Sequence, residues 1–145
     1  MKRLFLVMAL AACVPAGEGA DDPVTTGGGT ISFGNSGSIT GYGVITVVGS
    51  DDLVSVQYRG YGAPADPAAV TIPGSFDRVV RILATEGVEV QHALAGQGDQ
   101  LSCPDFGTDA VTATPAVAGF SGVSAGCPED RVSALMSRLH AAVAE

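Results

Sequence analysis

The fold prediction rests on one stretch of the chain, Val44-Ile45-Thr46-Val47-Val48-Gly49-Ser50-Asp51-Asp52-Leu53-Val54-Ser55-Val56-Gln57-Tyr58. Two runs rich in β-branched residues flank Gly49-Ser50-Asp51-Asp52, and these four residues are typical of a turn. In the second run, apolar and polar residues alternate, which puts Val54, Val56 and Tyr58 on one face of a strand. This alternation with a period of two residues predicts an antiparallel hairpin with one buried side.

Further strands and two helices are predicted on either side of this hairpin. A strand carrying Ile31 and Phe33 precedes it, with a turn at Gly34-Asn35-Ser36-Gly37. After the hairpin, a helix is predicted from an N-cap at Ser75 to a stop at Gly87, because Phe76, Val79, Val80 and Leu83 have helical spacing. A strand at Val88–His92 and a turn at Gly96–Asp99 are predicted next, followed by a returning strand that starts at Leu101–Cys103. The last predicted elements are a strand at Ala110–Thr114, ended by Pro115, and a helix from Pro128 towards Ala144.

The last helix has the clearest pattern. Pro128 suits a first helical position, and the acidic residues that follow it suit a first turn. Its apolar stripe contains Val132, Leu135, Met136, Leu139 and Val143. Together these elements predict an α+β fold, in which a small antiparallel sheet carries two helices packed on one face.

The N-terminus has the pattern of a targeting segment. A basic start, Lys2-Arg3, precedes a short apolar run from Leu4 to Leu10 and then small residues, which is typical of a secretory signal peptide. Leu10-Ala11-Ala12-Cys13 resembles the lipobox of bacterial lipoproteins. The resemblance implies cleavage before Cys13 and acyl chains such as palmitate on that residue. An ordinary signal peptide that is cleaved near a cysteine is the alternative.

This resemblance implies a lipid-anchored protein of the bacterial cell envelope. In this family, Asp after the lipidated cysteine retains the protein in the inner membrane, so Val14 implies the outer membrane, on its periplasmic side. The expected organisation is a signal peptide at 1–12, a lipidated N-terminus and flexible tether at 13–29, and a single α+β domain at 30–145. Gly27-Gly28-Gly29 lacks the Lys and Ser/Thr of a phosphate-binding loop and is interpreted as linker.

Two cysteines are left if Cys13 is lipidated, namely Cys103 and Cys127. In an oxidising envelope we expect a disulfide between them. A metal-binding or catalytic thiol pair is the alternative, but the close Cys-x-x-Cys spacing and nearby histidines are missing.

The charge of the chain is strongly acidic. The formal net charge is −8, and the only lysine, Lys2, lies within the predicted signal peptide. Nucleic-acid binding through phosphates needs clustered Lys and Arg, so we expect no nucleic-acid partner. A basic protein partner would be attracted to this charge. The alternative is that the excess of acidic residues only keeps the protein soluble.

Three patterns suggest catalytic or metal chemistry, and none is adopted. Gly122-Val123-Ser124-Ala125-Gly126 fits the nucleophile elbow of hydrolases, but Asp130 and His140 fall on one short predicted helix and cannot converge on Ser124. Asp105-Phe106-Gly107-Thr108-Asp109 offers two carboxylates for Ca²⁺, but a turn explains it better. His92 and His140 are isolated, whereas metal sites need several ligands. We therefore expect no catalytic residues, no metal and no cofactor.

The loop Tyr58-Arg59-Gly60-Tyr61-Gly62 is the candidate contact surface. Tyr and Arg are enriched at interaction hot spots, so Tyr58, Arg59 and Tyr61 are its candidate residues. The alternative is that Tyr58 belongs to the core and Tyr61 covers the loop. The chain is thus expected to be a non-enzymatic binding or accessory protein of the envelope. An acidic inhibitor of a basic secreted enzyme, of the lysozyme or protease type, is the alternative function, and an enzyme is the third.

Overall fold

The computed structural model describes residues 28–96, 103 and 105–145. Outside the described residues lie the predicted signal peptide, Cys13 and most of the tether. Residues 97–102, which include the end of a predicted turn and the start of a predicted strand, also lie outside them. Within the described part of the chain, no helix has both the length and the hydropathy needed to cross a membrane.

Seven strands form one antiparallel sheet in the order β5-β4-β3-β1-β6-β7, with β2 paired to β3. The strands are β1 (Thr30–Asn35), β2 (Gly37–Ser38), β3 (Gly41–Gly49), β4 (Leu53–Arg59), β5 (Val70–Thr71), β6 (Asp109–Val117) and β7 (Phe120–Ala125). The helices are α1 (Ser75–Ile82), a π-helical segment (Leu83–Gly87), α2 (Val88–Leu94) and α3 (Asp130–Ala144). The α+β prediction is confirmed.

One face of the sheet carries the core. In the β3–β4 pair, Val48 lies opposite Val54, and Val54 is 5% exposed whereas its neighbour Leu53 is 42% exposed. The predicted hairpin with one buried side is therefore confirmed. The helices bury this face, which we call the core face, through Val79, Leu83, Val132, Leu135 and Leu139.

The prediction of a helix stop at Gly87 and a strand at Val88–His92 is wrong. α1, the π-helical segment and α2 follow one another without interruption as one helix of 20 residues. Gly87 is buried in this helix, and a Cβ there would lie 3.0 Å from Phe120 Cδ2. The glycine therefore serves close packing against β7 and does not end the helix. Val90 and Leu94 continue the helical spacing, four residues apart on the packed side.

Several element ends also differ from the predictions. The turn predicted at 34–37 lies at 39–40 instead, and α3 begins at Asp130 after the N-cap Glu129, so Pro128 precedes the helix. α1 has Gly74 as its N-cap and begins at the buried Ser75, because the Asp52 carboxylate takes over the capping hydrogen bonds. β6 continues past Pro115 to Val117, and the register with β7 shifts between Thr112 and Val117.

The disulfide between Cys103 and Cys127 is present, as predicted. It joins residue 103 to the segment just before α3, whose N-cap is Glu129. The Cys103 backbone N–H also donates to the Gly126 carbonyl at 2.9 Å. The disulfide therefore ties the chain before β6 to the connection between β7 and α3.

Candidate functional site

An open groove of about 490 Å³ lies between the start of β3 and helix α3. Its floor includes the sheet backbone at two glycines, Gly34 of β1 and Gly43 of β3. A Cβ at Gly34 would lie 2.0 Å from the Val44 carbonyl oxygen, and one at Gly43 would lie 2.1 Å from the Asn35 carbonyl oxygen. Because only glycine fits at these two positions, this part of the floor is a surface of peptide groups.

Helix α3 forms one wall of the groove. Ser133, Met136, Ser137 and His140 line it, and their spacing puts them on one side of the helix. The buried stripe of α3, with Val132, Leu135 and Leu139, lies beside them. Met136, which the sequence pattern assigns to the apolar stripe, is only partly buried and lies at the border between core and groove.

His140 lines the groove and also contacts a core residue, Phe33. Its ring meets the ring of the buried Phe33 edge to face, with centroids 4.8 Å apart and an interplanar angle of 71°. Much of His140 stays exposed, but the desolvation that the ring experiences lowers the pKa of His140 below its usual value. Desolvation penalises the imidazolium form, so the groove favours the neutral imidazole.

Tyr42 lines the groove from the sheet, and its ring contacts Tyr58 of the neighbouring strand. Val44 lies opposite Tyr58 in the β3–β4 ladder, and Tyr42 follows two residues away on the same face. The Tyr42 and Tyr58 rings meet edge to face, with centroids 5.7 Å apart. Aromatic pairs of this geometry hold each other in place. Tyr42 is still 50% exposed.

Two adjoining turns extend this apolar area. Ile39 and Tyr61 are 76% and 84% exposed. Their turns touch, because a Cβ at Gly60 would lie 3.2 Å from the Gly41 carbonyl oxygen. We call this area the tyrosine surface. It consists of the turn residues Ile39 and Tyr61 and the strand residues Tyr42, Val44 and Tyr58.

The tyrosine surface continues the core face beyond the helices. Along β3, Val48 and Thr46 are buried, and Val44 and Tyr42, next on the same face, are exposed. Sequence analysis singled out Tyr58 and Tyr61 but missed Tyr42. In a strand, every second residue lies on the same face, so counting back from the buried Val48 leads to Tyr42. This alternation was the signal that would have placed Tyr42 beside Tyr58.

Arg59 lies apart from this surface. Its guanidinium donates to the Gln57 side chain on the same strand and pairs with Asp66 at 3.4 Å. Gln57 lies on the face opposite Tyr58, since strand residues alternate between faces. The structure thus brings Tyr58 and Tyr61 to one end of the sheet and places the Arg59 guanidinium on the other face. The contact role of all three residues stays a prediction.

At each edge of the sheet, the chain itself takes up some of the backbone hydrogen-bonding groups. At the β4 edge, β5 pairs with Leu53 and Val54, and the Tyr58 backbone N–H donates to Asp66 Oδ1 at 2.6 Å. At the β7 edge, Gln91 Oε1 accepts from the Ser121 and Gly122 N–H groups at 2.8 and 3.1 Å. Unpaired edges are what added strands bind, so the groove and the tyrosine surface offer the more accessible contact area.

The residues of the elbow-like pattern do not converge. Ser124 is exposed on β7 between the buried Val123 and Ala125, so its side chain points away from the core face. His140 contacts Phe33 on the core face. The sheet therefore separates the hydroxyl from the imidazole, and Asp130 lies at the other end of α3 from His140.

The other candidate ligands are scattered. Asp105 is exposed in a turn, and His92 is exposed on α2. Among residues 28–96, 103 and 105–145, no three His, Cys, Asp or Glu side chains are grouped to hold a metal ion.

Comparison with known proteins identifies no relative. No family model matches the chain, and neither a curated protein nor a solved structure matches it.

Proposed function

We propose that this protein is a lipid-anchored envelope lipoprotein that acts as a non-enzymatic binding or accessory protein. Its contact area would be the tyrosine surface together with the adjoining groove. The anchor is supported by the lipobox-like Leu10-Ala11-Ala12-Cys13. An anchor holds the domain next to its neighbours and so raises the effective concentration for contact.

The observation that carries the contact proposal is the exposed continuation of the core face. Large contiguous apolar patches on a soluble domain mark interaction sites. Tyrosines are favoured at binding hot spots because their rings bury much area with little conformational entropy. Tyr42 and Tyr58 already hold each other at 5.7 Å, so part of the ordering cost is met before a partner arrives.

The uncharged groove and the acidic chain around it indicate the chemistry of the partner. Among the residues that the structure describes, no Asp, Glu, Lys or Arg lines the groove, and its titratable lining residues are Tyr42 and His140. The chain as a whole has a formal net charge of −8. An apolar segment with basic residues beside it is therefore the best complement, because unlike charges steer the approach.

Site-specific photo-crosslinking in cells tests this proposal. A benzophenone amino acid would replace Tyr61 in the full chain, and a second strain would carry it at Val70. Val70 is also an exposed apolar residue, but it lies on β5, next to the opposite end of β4. We expect one membrane-associated protein to be captured from position 61 and not from position 70.

A substitution tests the same surface without a probe. Tyr42→Ser should abolish the crosslink from position 61, whereas Leu53→Ser, a matched change of an exposed apolar residue on the opposite face, should leave it intact. Equal capture from positions 61 and 70 would contradict the proposal. Capture of a soluble cationic enzyme, lost at high salt, would instead support the inhibitor hypothesis.

A further inference from the structure

Three arginines surround a second groove, which lies between α1 and α3. Arg78 and Arg81 come from α1 and Arg138 from α3, and the groove has a volume of about 310 Å³. The described residues contain only five arginines and no lysine. In a chain with a formal net charge of −8, most of the positive charge of the domain is thus gathered at one place.

Arg78 is fixed in position, but no ion pair neutralises it within the described residues. Its Nε donates to the Ala142 carbonyl at 2.7 Å and its Nη1 to the Pro73 carbonyl at 3.0 Å. Its Nη2 is buried and has no hydrogen-bond partner in the described part of the chain. Both hydrogen-bond partners are neutral. The Asp52 carboxylate attracts Arg78 through space but forms no salt bridge with it, so the charge of this groove-lining guanidinium is only partly compensated.

The other two guanidinium groups are more accessible. Arg81 donates from Nε to the Asp77 carbonyl at 3.3 Å and forms no salt bridge with any described residue. Arg138 pairs with Glu86 at 3.0 Å, and both side chains are exposed. Exposed pairs of this kind contribute little to stability, so an incoming anion can compete for Arg138.

We propose that this groove binds a phosphate group. Arginine side chains from two helices line one groove, and guanidinium groups are the side chains that best match the oxygens of a phosphate. Phosphate could come from a soluble phosphate compound or from a lipid headgroup, and the chemistry is the same. Glu145 also lines the groove, and its carboxylate would compete with the ligand. This inference does not depend on the proposed partner contact.

Titration of the full chain with inorganic phosphate at constant ionic strength tests the proposal. The protein would be kept in detergent micelles, and the Arg Nε–Hε resonances followed by NMR. We expect a saturable shift of the Arg81 resonance. Arg81→Gln should weaken binding about tenfold or more, as expected for loss of a charge-assisted contact. Arg59→Gln is the matched control and should change nothing, and Glu145→Gln should strengthen binding.

Nanodiscs distinguish the two sources of phosphate. If the Arg81 resonance shifts in phosphatidylglycerol discs but not in phosphatidylcholine discs, the ligand is an anionic headgroup. If it shifts only with inorganic phosphate, the ligand is soluble. A linear, non-saturating response, or equal binding by Arg81→Gln and the unchanged chain, would overturn the proposal.

Discussion

Asp52, in the turn between β3 and β4, accepts a hydrogen bond on Oδ1 from the backbone N–H of Phe76 at 3.0 Å. Its Oδ2 accepts from the Gly74 N–H at 2.7 Å. These bonds place a carboxylate at the N-terminus of α1, where unpaired N–H groups and the helix dipole favour negative charge. The Phe76 bond, then the Gly74 bond, lower the pKa of Asp52 below its usual value. One residue thus connects the hairpin to the first helix.

Asp52→Asn should therefore destabilise the fold in a pH-dependent way. A lowered folded-state pKa means that the carboxylate stabilises the fold above its unfolded pKa of about 3.9, and that this contribution is lost as pH falls through the folded value. Asn tolerates the positive φ of 62° at this position. Urea midpoints should be lower in the variant at pH 7 and converge with those of the unchanged chain in acid.

Asp51→Asn is the neighbouring control for this change. Asp51 accepts only a local bond from the Leu53 N–H at 3.2 Å, which Asn also accepts. A drop in stability equal to that of Asp52→Asn would show that the cap has no special role.

Gly87→Ala should destabilise the protein although alanine favours helices. The added Cβ would lie 2.9 Å from Leu83 Cδ2 and 3.0 Å from Phe120 Cδ2. Overpacking of this kind costs about 1–3 kcal/mol, more than the gain of about 1 kcal/mol in helix propensity. Chemical denaturation measures the difference. Gly96→Ala, where no atom from the described part of the chain, apart from the adjoining residues, lies within 4 Å of the new Cβ, should be neutral or slightly stabilising. Equal effects of the two substitutions would refute the packing argument.

Gln91→Ala should loosen the β6–β7 turn. The Gln91 side chain accepts from Ser121 N at 2.8 Å and Gly122 N at 3.1 Å and donates to the Gly119 carbonyl at 3.2 Å. A net loss of about 1–3 kcal/mol is expected from these bonds. Hydrogen exchange should accelerate at Ser121 and Gly122. His92→Ala, the next residue and exposed, should leave exchange unchanged; the same acceleration in both variants would contradict the role of Gln91.

Removal of the disulfide should lower the free energy of unfolding substantially. Cys103 and Cys127 are 24 residues apart, and closing such a loop restricts the unfolded chain by about 3.5 kcal/mol. Cys103→Ser/Cys127→Ser should show this loss in urea, and adding dithiothreitol to the unchanged chain should reproduce it. Stability that did not respond to the reductant would show that the bond does not form in solution.

The elements that sequence predicts best are those whose signals are local. The β3–β4 hairpin follows from alternation around Gly49-Ser50-Asp51-Asp52, and α3 from its apolar stripe. The strand predicted at Val88–His92 fails because its short apolar pattern fits both a strand and a helix. Tertiary packing distinguishes the two: Phe120, far along the chain, packs against Gly87 in the helix.

In the candidate site, too, the sequence identifies individual residues, whereas their contacts depend on tertiary structure. Tyr58 and Tyr61 stand out in the sequence by residue type, but their association with Tyr42 depends on the register of β3 and β4. β7 contains Gly122 and Ser124 on either side of Val123, so its local pattern is a weak strand signal, and its pairing with β6 defines the strand. The groove of arginines depends on the packing of α1 against α3, which no local pattern specifies.

The central claim is that this domain works from a lipid anchor on Cys13, and intact mass is its most direct test. The protein would be purified from a membrane fraction beside a Cys13→Ser variant. We expect the mass of residues 13–145 plus acyl chains, and loss of both the added mass and the membrane association in the variant. A cleaved, unacylated and soluble product would contradict the claim.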